Sequence, residues 1–313
     1  MHSLLRPRSV PRGGTIGLAA PAGPVDLERL ACGETQLREG GFDVVRGEDI
    51  TARRGYLAGD DERRAREVMD FIRDPAIDAI VCVRGGYGCQ RIVDQLDASA
   101  VRRAAKPLVG YSDITTLLLW QVRAAGLVGV HGPMLEREGG FDSVALEILC
   151  QALLGEDDGR VLPGRGVGEG AVEGPLCGGS LSMVVSSLGT PFEIQTQGRI
   201  LLLEEVNEAP YRIDRMLQQM SAAGKFDGVL GIGVGGLVDC GKSSEDPSAK
   251  SVVSELLCPL GVPLVVDLPF GHMGENHAWP LGGKARLDGG RGDVMLLEAS
   301  TVTRSDSIEG DTV

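Results

Sequence analysis

The chain has 313 residues, enough for two domains of ordinary size or one large one. With 42% hydrophobic and 24% charged residues it is not a disordered chain, and a formal net charge of −13 argues against nucleic acid or an anionic membrane surface as partners, since both need a basic footprint. No stretch reaches the roughly 20 apolar residues of a bilayer span, and the opening MHSLLRPRSVPRGG lacks the apolar core of a secretory signal.

TIGLAAPAG (15–23) reads as a first buried strand ending in a small-residue loop, and 26–40 follow with helical spacing. FDVVRG (42–47) is a short strand. DDERRAREVMDFIRD (60–74) is an amphipathic helix with its acids at the positive end of the helix dipole. IDAIVCVRGGYG (77–88) is an apolar strand running into a glycine loop, and a helix starting near Cys89 leads to KPLVGYSD (106–113), again strand into turn. DITTLLLWQVRAAG (113–126) is a helix ended by glycine, LVGVHGPM (127–134) another strand, and 142–154 another helix. This alternation predicts an α/β domain over 1–157, built on a parallel sheet covered on both faces. Residues 158–175, rich in glycine and acids and without periodicity, read as an interdomain crossover. Residues 176–313 mix more strands with fewer helices, among them RILLLEEV (199–206), DGVLGIGVGG, VPLVVDLPFG and ARLDGGRGDVMLLEA, and predict a smaller, β-rich α+β domain with a polar tail. The seven cysteines (Cys32, Cys82, Cys89, Cys150, Cys177, Cys240 and Cys258) form no C-x-x-C. That speaks against a disulfide framework or a structural zinc and for a reducing compartment.

Chemistry concentrates at four places. In GYSDITTLL (110–118) Ser112 sits between an apolar strand and a helix, which exposes its hydroxyl at the carboxyl edge of a sheet, where ligands of parallel α/β folds bind. The N–H of Asp113, at the helix start, can face an oxyanion there, although a serine followed by aspartate is also a common helix cap. The usual elbow G-x-S-x-G is absent, because Ile114 stands at the second glycine. RGGYG (84–88) is neither a dinucleotide fingerprint nor a P-loop; it is a tight turn or, beside Ser112, the other half of an oxyanion hole. A serine nucleophile needs a histidine. Of the four, His2 lies in the ragged start, His131 follows a strand and suits either site or core, and His272 and His277 lie in PFGHMGENHAWPLGG just past a strand. The spacing of the last two is unspecific for a metal. Glu204, Glu205 and Glu208 end the strongest strand of the second half, as an orienting carboxylate or as partners of Arg212 or Arg215.

Together these segments resemble one family, the LD-carboxypeptidases (muramoyltetrapeptide carboxypeptidases) of the S66 serine peptidase group. The matching stretches are GGTIGLAAPAG, RGGYG with Arg91, KPLVGYSDIT (106–115), LEEVNEAPYRIDRML (203–217), and Gly271, His272, Asn276 and Pro280 to Gly282. They run from about residue 10 to about 300 in the family's order. The resemblance implies that Ser112 is the nucleophile, His272 the base and Glu204 the triad acid. It also implies a larger N-terminal α/β domain, a β-rich C-terminal one, a site closed at their interface, a cytoplasmic homodimer, and neither metal nor cofactor. Where the family has Glu-Asp this chain has Glu204-Glu205, and CGGS (177–180) departs slightly from the usual pattern, in a place expected to line the cleft.

The implied reaction releases the terminal D-alanine of a murein tetrapeptide across an L,D bond, with the N–H groups of Asp113 and Gly86 as candidate oxyanion donors. The glycine loop, with Arg84, Gly85 and Tyr87, is a candidate substrate wall. Arg84, Arg212 and Arg215 are candidates for holding the substrate's free carboxylate. Two other readings stand beside it. One is a microcin C immunity-type peptidase acting on peptidyl- or aminoacyl-nucleotides, disfavoured by two tryptophans, four tyrosines and no added aromatic loop. The other is a non-catalytic module whose glycine loops hold an anion.

Overall fold

The computed structural model describes residues 4–136, 139–241 and 247–303. His2 and the polar tail lie outside them. Two sheets organise the chain. The first is built from β1 (Thr15–Ala19), β2 (Asp43–Arg46), β3 (Ala79–Cys82), β4 (Leu108–Gly110) and β5 (Gly129–His131), in the order β5-β4-β3-β1-β2 and all parallel. Strands β1, β3, β4 and β5 are buried almost throughout, as a sheet covered on both faces requires, while the edge strand β2 buries only Val44. The connecting helices are α1 (Leu27–Glu39), α2 (Asp61–Arg73), α3 (Ala98–Ala104), α4 (Thr115–Trp120) and, after β5, α5 (Ser143–Leu154). Four of them start at an aspartate whose carboxylate accepts the first free N–H groups, Asp26, Asp60, Asp97 and Asp142. Three of these starts agree with the sequence reading, while the helix expected from near Cys89 begins only after Asp97, behind two tight turns at Cys89–Arg91 and Val93–Gln95. The fifth, α4, has no side-chain cap; it grows out of the turn at Ser112. The helix predicted over 113–126 is therefore compound, a tight turn, α4, and a wider π turn over Gln121–Ala125 closed by Gly126 at φ 61°.

The second sheet has eight strands: β6 (Val161–Pro163), β7 (Arg165–Gly166), β8 (Ala171–Ser180), β9 (Ile200–Val206), β10 (Gly231–Val238), β11 (Leu264–Val266), β13 (Lys284–Asp288) and β14 (Asp293–Leu296), ordered β6-β14-β13-β8-β9-β10-β11-β7. Its centre, β8 to β11, is parallel, with α6 (Leu181–Ser186), α7 (Pro210–Ala222) and α8 (Ala249–Leu257) as crossovers, while β13, β14, β6 and β7 flank it antiparallel.

Two boundaries differ from expectation. Residues 158–175 are not a bare crossover: they carry β6, β7 and the start of β8, all in the second sheet. Strands of two or three residues at a sheet edge are too short to show a period of two. And β12 (Trp279–Leu281), expected in the second domain, returns to the first sheet and pairs antiparallel with β5, Trp279 opposite His131. Burial explains it. The Trp279 ring is fully enclosed, stacked on His131 at 4.7 Å and 16° and edge-on to Phe270.

Candidate active site

Ser112 follows β4 directly and holds φ at 60°, a left-handed conformation that costs a non-glycine residue about 1–3 kcal/mol. That kink lifts the side chain out of the sheet. It is tolerated because the residues around it leave no alternative. A methyl on Gly110 would lie 2.7 Å from Ile114, and one on Gly85 would lie 2.8 Å from both Cβ and Oγ of Ser112 and 3.4 Å from the nitrogen of Asp113. The glycine loop thus lies flat against the turn. Two buried charged groups fasten it. Asp113, 3% exposed, accepts the N–H of Cys89 at 2.8 Å, and burial raises its pKa above the usual aspartate range. From the other side Arg64 donates to the carbonyls of Gly88, at 2.9 Å, and Pro21. The side chain of Asp113 therefore works on the loop, which leaves its N–H free of that task.

The acid and base come from the second half. Glu204 lies fully buried two residues before the end of β9, and its Oε2 lies 2.7 Å from Nδ1 of His272. The close approach needs Gly271, at φ 106°, whose added methyl would sit 2.6 Å from that oxygen. Asn276, fully buried, accepts the N–H of Gly271 at 2.8 Å and fixes the turn. Glu205 points the other way, as the next residue on a strand must. Its carboxylate accepts the N–H of Ser182 at 2.7 Å and of Val206 at 2.9 Å, at the start of α6. Of the two adjacent acids, then, it is Glu204 that meets the histidine.

The two halves join where the nucleophile's helix meets β8. Gly178 and Gly179 take φ values of 135° and 128°; a methyl on Gly179 would strike Thr115, whose hydroxyl accepts the N–H of Ser180 at 3.3 Å. In register, Ser180 stands opposite Glu204. CGGS is therefore an interdomain seam beneath the site; none of its residues lines the cleft of Ser112, but Cys177 lines a separate cavity at the domain junction with Leu119 and Val122.

Ser112 and His272 line one cleft, together with Arg29, Arg84, Gly85, Gly86, Tyr111, Met134 and Glu136. The His272 ring sits edge-on to Tyr111, centroids 4.8 Å apart. Behind it His131 is fully buried among Tyr111, Phe270 and Trp279, and burial drives its pKa down to about 3. Of its two expected settings, site or core, His131 occupies the core. Among the other candidates, Tyr87 stands out on the surface, 47% exposed and edge-on to Tyr56. Arg212 and Arg215 lie over the exposed ring of Tyr211 on α7, and Arg212 pairs with Glu208 at 3.3 Å; neither lines the cleft. Sequence reasoning missed Arg29, Tyr111, Met134 and Glu136. Met134 and Glu136 had a usable signal, since they follow the end of a parallel strand at its carboxyl edge. Arg29 had none beyond its place in the first turn of α1.

Known proteins share this two-domain organisation. Residues 16–132 match the LD-carboxypeptidase N-terminal domain and 173–287 the LD-carboxypeptidase C-terminal domain. A probable murein peptide carboxypeptidase of Bacillus subtilis is 35% identical over 291 residues, 90% of this chain and 91% of that one. Among solved structures, the muramoyltetrapeptide carboxypeptidase of Oxalobacter formigenes superposes with a TM-score of 0.83 at 28% identity, over 90% of this chain and 97% of that one. The microcin C7 self immunity protein MccF, at 23% identity over 95% of this chain and 99% of its own, shares the fold with a TM-score of 0.87. Fold and comparisons together define a two-domain α/β enzyme of the serine-type LD-carboxypeptidase class. The chain belongs to the LD-carboxypeptidase family, peptidase group S66.

Proposed function

We propose that the chain hydrolyses the L,D peptide bond that releases the terminal D-alanine of murein tetrapeptides, with Ser112 as nucleophile, His272 as base and Glu204 as the acid that orients it. One observation carries the reading: the buried carboxylate of Glu204 bonded to Nδ1 of His272 at 2.7 Å, in a cleft shared with Ser112. With Nδ1–H donating its hydrogen bond to the Glu204 carboxylate, Nε2 is left as the acceptor, the tautomer a general base requires. His272 then takes the Ser112 proton as Oγ attacks the carbonyl carbon, and returns it to the amine of the departing D-alanine. Water, deprotonated by the same imidazole, frees the acyl-enzyme. The N–H groups of Asp113, next to Ser112 in the chain, and of Gly86, which lines the same cleft, serve as oxyanion donors; losing one such donor costs about 3 kcal/mol in the transition state.

Similarity to a probable murein peptide carboxypeptidase and to a muramoyltetrapeptide carboxypeptidase supports this choice of substrate. A homodimeric state and a cytoplasmic location belong to the same reading. The test is release of D-alanine from murein tetrapeptide by the intact protein and by Ser112→Ala, with aspartyl-sulfamoyl-adenosine as a second substrate. D-Alanine release that disappears in the variant supports the proposal. Turnover of the nucleotide conjugate alone replaces it with the microcin-type activity, and an unaffected variant refutes the serine mechanism.

A further inference from the structure

A carboxypeptidase must hold a free carboxylate, and in a chain of net charge −13 the cation that does so has to be local. One residue spans about 3.5 Å of chain, so the terminal carboxylate lies within one residue of the carbonyl that Ser112 attacks. Only cations on the same cleft wall reach it. That wall carries two guanidinium groups, Arg29 and Arg84, and one carboxylate, Glu136.

The two arginines are not equivalent. Arg84 is committed: its Nη1 donates to the carbonyl of Pro24 at 3.0 Å and to Glu136 at 3.1 Å. The other oxygen of Glu136 accepts the N–H of Asp26 at 3.2 Å, and its side chain is only 4% exposed. Arg84 and Glu136 thus neutralise each other and tie the glycine loop to the start of α1. Arg29 is held only by its backbone. Its N–H donates to the capping carboxylate of Asp26 at 3.3 Å, and the next residue, Leu30, anchors the helix in the core. Its guanidinium makes no ion pair or side-chain hydrogen bond among the described residues. Glu136 attracts the Arg29 charge through space as well, but one carboxylate cannot offset two guanidinium groups. Among the described residues the cleft therefore keeps a net positive charge, and Arg29 is the guanidinium left unbonded to present it.

Resting on the carboxypeptidase reading above, we infer that Arg29 is the residue that receives the substrate's free α-carboxylate, with the Arg84–Glu136 pair as a fixed, neutral wall behind it. A guanidinium suits this role, because its planar donors match a carboxylate in pairs. Arg29 is thereby a specificity residue, separating a C-terminal acid from an amide or a longer peptide.

The experiment compares kcat/KM on murein tetrapeptide and on the same peptide with a C-terminal amide, for the intact protein, Arg29→Ala and Arg29→Lys. The intact protein should prefer the acid, and Arg29→Ala should lower that acid-to-amide ratio about 10- to 100-fold, as loss of a charge-assisted hydrogen bond does. Arg29→Lys should recover part of it. A ratio that Arg29→Ala leaves unchanged, whether or not both rates fall, overturns the inference, as does an intact protein with no preference for the acid. An intact protein inert on both peptides overturns the carboxypeptidase reading and this inference with it, a pattern separate from the other two.

Discussion

Gly85→Ala isolates the contact between the glycine loop and the nucleophile. The backbone of Gly85 is outside the left-handed region, so alanine meets no strain of its own; what changes is one contact. The new methyl would lie 2.8 Å from Cβ and from Oγ of Ser112. Carbon atoms settle at about 3.5–4.0 Å, so loop and turn must part by about 0.7–1.2 Å. Rotating the hydroxyl aside gives no relief, because Cβ is equally close. A displacement of this size at a reacting atom costs on the order of 100-fold in rate. If Gly86 moves with the loop and its N–H no longer meets the oxyanion, roughly another 100- to 1,000-fold follows. Overpacking of this kind also lowers stability by about 1–3 kcal/mol. Turnover of tetrapeptide and urea unfolding, measured on one preparation, separate the two effects. A variant with near-native kcat but reduced stability would refute the reasoning, since the loop would then have yielded without moving Ser112.

Two further outcomes follow from the site. Glu204→Gln keeps the shape beside Nδ1 of His272 but removes the charge and permits the wrong tautomer; kcat should fall by about 10³–10⁴ with KM little changed, read by steady-state kinetics. His131→Phe should flatten the acid limb of stability: burial holds the native imidazole neutral, with a pKa of about 3, while the unfolded chain takes up its proton near pH 6.5. Stability present above pH 6.5 is thus lost as pH falls toward 3, by about 2 kcal/mol at pH 5 for this group alone. Urea unfolding at pH 7 and pH 5 should show that much less decline in the variant, and an equal decline would mean that His131 is protonated in the native state.

Much of the fold could be read from the sequence because it is written locally. Asp26, Asp60 and Asp142 mark helix starts, and the apolar runs at β1, β3 and β4 carry their own burial. Ser112, Glu204 and His272 drew attention because each lies near the end of an apolar strand or after one, but a helix cap, a salt bridge or a plain loop fitted them equally, and it was the family resemblance that gave them a shared role. What escaped depends on distant partners. Whether Glu204 or Glu205 faces the histidine turns on the phase of β9 against β8. Trp279 gives no sign that it will stack on His131, 148 residues earlier in the chain. Arg29 matters through a charge that Arg84 and Glu136 leave uncancelled, which no local pattern encodes. Arg212 and Arg215 drew attention by sitting close to the acids in sequence, and in space they serve the surface of α7.

The return of β12 has a consequence for how such chains can recombine. Residues 264–266 belong to one sheet and 279–281 to the other, so the segment bearing His272 is moored on both banks. A chimera cut between residues 157 and 158 would insert a foreign strand beside β5 and a foreign tryptophan against His131. Exchange of the front half between relatives should therefore succeed only when Trp279–Leu281 travels with it. The unit of inheritance is a discontinuous one, fixed by an edge of three residues.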